Sequence, residues 1–241
     1  MKKIALLFLV VPTIGFAQLK DLLNNASDEI TKHAAATSDV TDISAGIKEA
    51  LNMGITRQVS KLNAVDGFYK NEMVKILLPK ELQKVDQTLR KMGMSKLADD
   101  GIKSLNSAAE DAVKEAGPVF VDAIKNMSFS DAKTILMGNE TAATTYLKGT
   151  TMKTLYGKCN PIVKQSIGKV GADKIWTSII SKYNKLPLVT KVNPDITDYV
   201  TNKTMDGVYT MISVEEKNIR SNALFRTTDL LKSVFSLQDK K

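Results

Sequence analysis

Apolar residues recur at helical spacing along most of the chain after residue 41. The first such stretch follows the i, i+4, i+7, i+8 repeat of one helix face, through Ile43, Ile47, Ala50, Leu51, Gly54, Ile55 and Val59. Apart from the pair Leu188-Val189, no stretch alternates apolar and polar residues as a strand does. The pattern predicts an all-α fold, a single domain of about eight to ten helices over residues 42–237 with a polar tail at 238–241.

Local signals mark several helix ends. Ser128 and Asp131 have the spacing of a capping box, in which the serine oxygen and the carboxylate each accept an amide of the first turn. The same spacing at Ser213 and Glu216 predicts a second helix start. A helix that begins after residue 139 is expected to end, and the next to begin, at Gly157 and Pro161.

The first seventeen residues have the composition of a secretory signal peptide. Lys2 and Lys3 give a positive start, residues 4–16 are largely apolar, and Gly15 and Ala17 are the small residues that a signal peptidase requires. The apolar run is shorter than the roughly 20 residues of a membrane-spanning helix. The sequence predicts export to the periplasm or envelope with cleavage after Ala17, and a loose arm over residues 18–41.

The formal charge of +8 is concentrated in one segment. Between residues 148 and 191 there are nine lysines and a single acid, Asp173. On one ideal helix these lysines would point in scattered directions, which favours solvated surface positions without a binding role. Binding of an anionic envelope polymer, or of lipid headgroups in a peripheral membrane contact, is the functional alternative, whereas nucleic acid is not expected as the partner of an exported protein. The candidate residues are Lys153, Lys158, Lys164, Lys169 and Lys174.

An ordered set of short blocks runs through most of the chain. The blocks include Asp66-Gly67-Phe68-Tyr69-Lys70-Asn71 and Glu215-Glu216-Lys217-Asn218-Ile219-Arg220, and others at 46–51, 77–79, 105–110, 131–138, 142–146, 206–207 and 226–231. Taken together over residues 42–236, they resemble the bacterial family catalogued as domain of unknown function 4197. The resemblance implies a helical fold and an envelope location, and it implies no particular reaction.

Arginine is scarce, so its positions are informative. Arg220 and Arg226 lie close together near the C-terminus, and Glu110, flanked by small residues, is their expected partner. A guanidinium matches a carboxylate in a bidentate pair. The favoured interpretation is a structural ion pair that holds the C-terminal helix on the domain, and the alternative is an anionic ligand held by both arginines.

A near-repeat brings two further acids into consideration. Asp66-Gly67 and Asp206-Gly207 are each followed by an apolar residue and a tyrosine. Two carboxylates could act as general acid and base if the fold brought them together, although Asp-Gly is also common at helix ends and turns. Asn71 closes the first of these blocks and is a further candidate ligand contact.

Few residues offer other chemistry. His33 is the single histidine and Cys159 the single cysteine, so we expect no disulfide, no metal site, no cofactor and no Ser-His or Cys-His triad. Cys159 is expected to be a small buried residue. The sequence favours a non-enzymatic envelope protein that binds a partner protein or a small ligand, and the alternative is a carboxylate-based hydrolase.

Overall fold

The computed structural model describes residues 40–91, 93, 95–169 and 195–239, together with residues 174, 176, 177, 180, 181, 184, 185, 188 and 191. The predicted signal peptide, the predicted arm up to residue 39 and His33 lie outside these residues. The described residues form helices and contain no strand, which confirms the all-α prediction.

The helices follow one another with short connections. In chain order the α-helices are α1 (Val40–Asn63), α2 (Lys80–Lys91), α3 (Ser95–Ala112), α4 (Ala116–Lys125), α5 (Phe129–Met137), α6 (Ala142–Lys169), α7 (Thr197–Ser221) and α8 (Asp229–Asp239), with 3₁₀ turns at Val113–Glu115 and Ala223–Phe225. None of these described helices is long and apolar enough to cross a membrane.

Helices α1 and α7 organise the packing. Helix α7 lies against α6 and α1, while α1 also contacts α4, α5 and α8. The predicted face of α1 is the buried one, since Ile47, Leu51, Ile55 and Val59 are each no more than 6% exposed. Burial of this apolar face supplies most of the stability of such a helix.

Helix α6 runs without interruption through Gly157 and Pro161, so the predicted break there is wrong. Glycine and proline are the two poorest helix formers, but a ridge of residues four apart is buried on both sides of them. The ridge comprises Leu147, Thr151, Leu155, Cys159, Val163 and Ile167. Burial of this continuous ridge outweighs the local preference to break.

The two predicted capping boxes have different outcomes. Ser128 caps α5 as predicted: its Oγ accepts the Asp131 amide at 3.1 Å, and Asp131 accepts the Ser128 amide at 2.9 Å. The start predicted at Ser213 is wrong, because this residue lies inside α7. The carboxylate of Glu216 accepts hydrogen bonds from another helix instead.

Candidate functional site

Two adjacent glutamates, Glu215 and Glu216, are buried on α7, at 5% and 8% exposure. Neighbouring positions on a helix point about 100° apart, so the two carboxylates reach different helices. A buried carboxylate is costly unless it is paired and hydrogen-bonded. Both of them are paired and hydrogen-bonded, and their partners define the centre of the fold.

The carboxylate of Glu216 caps the start of α6. It accepts the main-chain amides of Ala143 and Thr144 at 2.9 and 2.8 Å, and the Thr144 hydroxyl at 2.8 Å. These amides belong to the first turn of α6, where they lack partners within the helix and where the helix dipole favours negative charge. Glu216 therefore joins α7 to α6.

Arg220, one turn further along α7, completes this junction. Its guanidinium bonds Glu216 and donates to the carbonyls of Ile135 and Leu136 at 2.7 and 3.2 Å. These carbonyls lie in the last turn of α5. Carbonyls in that position lack partners within the helix, and the helix dipole there favours positive charge. The pair thus joins the end of α5 to the beginning of α6, with both side chains 7% exposed.

Glu215 connects α7 to α1. It is ion-paired with Arg57 and accepts a hydrogen bond from the Gln58 amide at 2.7 Å. Beside the two glutamates and Arg220 is a small cavity of about 30 Å³, lined otherwise by apolar residues of α1, α5, α6, α7 and α8. A space of that size holds one or two water molecules but not a substrate. The arrangement of the cluster is that of a structural junction.

The Asp66-to-Asn71 block forms the turn after α1. Asp66 has a positive φ of 62° and its side chain pairs with Lys70 at 2.8 Å, while the Asn71 oxygen accepts the amide of Met73 at 3.2 Å. Glu110 of α3 accepts the main-chain amides of Phe68 and Tyr69 at 3.1 and 3.4 Å. Glu110 and Asn71 therefore accept main-chain amides of the turn, whereas Asp66 pairs with a side chain.

Burial raises the pKa of Glu110 above its ordinary value of 4.5, although the Phe68 and Tyr69 amides oppose the shift. A raised pKa in the folded state means that the folded protein binds this proton more tightly than the unfolded protein does. The residue's contribution to stability therefore grows as the pH falls through its folded-state pKa and levels off below its unfolded-state pKa. This trend can be tested by substitution.

We expect Glu110→Gln to change the free energy of unfolding by less than about 1 kcal/mol at pH 7, because the amide oxygen still accepts hydrogen bonds. Glu110→Ala should cost about 1–3 kcal/mol, since it leaves the buried amide of Phe68 and the part-buried amide of Tyr69 without their acceptor. Urea unfolding at pH 7 and pH 4 measures both effects. Any advantage of Glu110→Gln over the wild type should shrink at pH 4, and an advantage that grows there would contradict the assignment.

Arg226 holds the C-terminal helix. It is 5% exposed, donates to the carbonyls of Ile219 and Arg220 at 2.9 and 2.8 Å, and forms a two-point ion pair with Asp239 of α8. The predicted pairing of Glu110 with Arg220 and Arg226 is wrong. Glu110 binds main-chain amides instead, and because every residue except proline has such an amide, the sequence does not reveal this contact.

Asp206 lies on the exposed side of α7. Its carboxylate is 3.9 Å from Lys148 and 3.8 Å from Lys203, whereas Asp66 pairs with Lys70. The two Asp-Gly blocks do meet, but through Gly207, where an added Cβ would stand 2.7 Å from the Phe68 ring. The near-repeat therefore brings the Phe68 ring against Gly207. The carboxylates of Asp66 and Asp206 pair with different lysines.

The lone cysteine is buried, as predicted. Cys159 is 2% exposed, its Sγ lies 3.5 Å from the carbonyl of Ala112, and burial raises the pKa of the thiol to about 12. A thiol with that pKa is almost wholly protonated at neutral pH and is a poor nucleophile. No group of three or more His, Cys, Asp or Glu side chains that could hold a metal occurs among the described residues.

A polar groove of about 390 Å³ opens between α4 and α6. Its volume falls within the range of small-molecule sites, about 300–1,000 Å³. Apolar parts of Pro118, Val119 and Ala123 lie beside polar groups from both helices. The polar lining consists of Asp122, Asn126, Tyr146, Thr150, Thr151, Thr154 and Lys158.

Several polar groups of the groove are unoccupied by protein partners. Within the described part of the chain, the side chains of Asp122, Asn126 and Thr154 make no hydrogen bond to another residue. Lys158 is 3.9 Å from Glu115 in an exposed pair, which is a weak contact. The groove thus offers a carboxylate, an ammonium, an amide and a hydroxyl to a ligand.

The sequence signals alone did not identify the two central features. Glu215 and Glu216 looked like part of a helix start, although Ile212 and Ile219 continue the apolar spacing of one helix across them. The groove residues come from α4 and α6, and their juxtaposition depends on how these helices pack. The lysine candidates Lys153, Lys158, Lys164, Lys169 and Lys174 are all exposed.

Comparisons with known proteins give one match. The family model described as protein of unknown function (DUF4197) matches residues 37–236, which is most of the chain. No curated protein and no solved structure matches the chain.

Proposed function

Since this chain belongs to the DUF4197 family, whose function is not established, we propose that it is a non-enzymatic binding protein that holds a small polar molecule in the groove between α4 and α6. The proposal includes export to the periplasm or envelope and cleavage after Ala17, for which the composition of residues 1–17 is the support. The domain that remains would comprise about eight to ten helices.

The chemistry of the groove favours a ligand that carries both charges. Asp122 can accept from an ammonium group and Lys158 can donate to an acid, while Asn126 and Thr154 offer neutral hydrogen bonds. The apolar surfaces of Val119 and Ala123 suit a short hydrocarbon part. A zwitterionic amino compound has these features.

The hydrolase alternative finds less support. Its carboxylates would have to converge at one cavity, but Asp66 pairs with Lys70, Asp206 faces Lys148 and Lys203, and Glu110 is occupied by turn amides. The groove itself contains one carboxylate, Asp122, and has no histidine or cysteine in its lining. The polar and charged groups of this lining are sufficient to bind a small molecule without catalysis.

Ligand binding should depend on the open space of the groove. We expect at least one of the standard L-amino acids, at millimolar concentration, to raise the melting temperature of the wild type. Asn126→Trp, which places an indole at the groove, should abolish the shift, and Asp122→Asn should weaken it. Differential scanning fluorimetry measures these shifts.

Thr145→Trp is the matched control, since Thr145 is an exposed, neutral residue of α6 outside the groove lining. It should keep the ligand-induced shift. Equal shifts in Asn126→Trp and the wild type, or no shift with any amino acid, would contradict the proposal.

A further inference from the structure

The outward side of α6 carries an exposed basic surface. Lys153, Lys158, Lys164 and Lys169 are all exposed, and the helix contains no Asp or Glu over Ala142–Lys169. Lys153 and Lys169 have no ion pair within the described residues, whereas Lys158 is 3.9 Å from Glu115. Hydrogen bonds from Thr197 lower the pKa of Asp195, and the charge of Lys164 acts in the same direction.

The lysines of the segment share no single direction, but four of them form two rows on α6. Measured from Lys148 at 100° per residue, Lys153 and Lys164 lie at about 140° and 160°, while Lys158 and Lys169 lie at about 280° and 300°. Members of a row are about 16 Å apart along the axis. Lys148 lies outside both rows, and Lys174 lies beyond the end of the helix.

A strip of small residues separates the two rows. Gly157, Pro161 and Gly168 lie at about 180°, 220° and 200°, and all three are exposed. A Cβ added at Gly157 or Gly168 would meet no atom within 4 Å, so packing does not require glycine there. Thr154 and Gln165, which are exposed, lie at about 240° and 260°, beside the row of Lys158 and Lys169. The strip leaves open the part of the surface beside Lys153 and Lys164.

We propose that this surface binds a linear phosphate polymer along the strip. A lysine ammonium binds phosphate as a point charge without a fixed geometry, and α6 contains no arginine that would favour a planar carboxylate. A flexible chain lying between the rows meets a lysine on alternate sides about every 8 Å. A single phosphate ion can contact too few of the four lysines to bind tightly. The surface shares Lys158 with the groove, but Lys153, Lys164 and Lys169 do not line it, so these three lysines test the inference separately from the groove.

The test uses the full chain and linear inorganic polyphosphate of defined length as the probe. The wild type should bind polyphosphate with an affinity that falls as salt rises, while inorganic phosphate should bind far more weakly. K153Q/K164Q/K169Q should weaken binding about tenfold or more and flatten the salt dependence. The control K91Q/K125Q/K133Q removes the same charge from exposed positions elsewhere and should bind within about twofold of the wild type.

A second pair of variants keeps every lysine. Gly157→Leu fills the strip with a residue that favours helix, and we expect a several-fold loss of polyphosphate binding. Gly149→Leu, at about 100° and also in open space, should bind as the wild type does. Circular dichroism would check that both variants are folded.

Five outcomes would overturn the inference. They are no binding of polyphosphate by the wild type at low salt, an equal loss in the control triple variant, unchanged binding by Gly157→Leu, loss of binding by Asn126→Trp, and binding to phosphatidylglycerol vesicles without binding to polyphosphate. The fourth outcome would move the polymer to the groove, and the fifth would assign the surface to a membrane.

Discussion

Replacing Glu216 with alanine is expected to lower the free energy of unfolding by about 3–5 kcal/mol, the usual cost of removing one partner of a buried ion pair. Glu216 and Arg220 are each 7% exposed, so the arginine would keep its charge in a poorly solvated place. The amides of Ala143 and Thr144 would also lose their acceptor. The end of α5 and the beginning of α6 would separate most readily in this variant.

Two control variants identify the cause of this loss of stability. Glu216→Gln keeps an acceptor for α6 and removes the charge, so an intermediate loss of about 1–3 kcal/mol is expected. Glu140→Ala breaks an exposed pair with Lys217, in which Glu140 is 67% exposed, and should cost less than about 1 kcal/mol. Urea unfolding followed by circular dichroism gives all three values. A loss below about 1 kcal/mol in Glu216→Ala would contradict the structural role.

Gly67→Ala should be comparably destabilising, by about 3 kcal/mol, at the upper end of the cost of overpacking. A Cβ at this position would stand 2.6 and 2.8 Å from the carbonyl oxygens of Leu62 and Ala64, and closer still to that of Lys61. These atoms are backbone at the end of α1, so the contact cannot be relieved by a side-chain rotation. The turn that carries Phe68 into the core would have to move.

Gly157→Ala provides the matched comparison, since both changes add one methyl group. The added methyl meets nothing within 4 Å, and alanine is a better helix former by about 1 kcal/mol. We therefore expect a small gain in stability. Thermal unfolding of both variants tests the contrast, and a similar change of melting temperature in the two would refute the account of the Gly67 turn.

Local features of the fold follow from the sequence. The α1 face from Ile47 to Val59 is recognisable by its spacing, and Ser128 with Asp131 is recognisable because the two partners are three residues apart. The predicted interruption of α6 is wrong, because burial of the apolar ridge stabilises the helix more than Gly157 and Pro161 destabilise it. The continuity of α6 thus depends on packing partners that lie far away in the sequence.

The junction and the groove depend on similarly distant partners. Glu216 binds amides 72 and 73 residues away, and Glu110 binds amides 41 and 42 residues away. Main-chain donors have no side-chain signature, so neither contact is visible in the sequence. Arg226 was expected to hold the C-terminal helix and does so through Asp239. The groove also depends on residues distant in sequence, because the packing of α4 on α6 brings Asp122 and Lys158 into one lining.

Native mass spectrometry of the protein purified from the organism that encodes it tests the central claim most directly. The account predicts that the wild type and Thr145→Trp retain an additional small-molecule mass, and that the same mass is absent from Asn126→Trp. Tandem dissociation would identify the released compound, which should contain both an ammonium and an acidic group. An identical bound mass on Asn126→Trp, or no bound mass on the wild type at concentrations that preserve the complex, would contradict ligand binding in the groove.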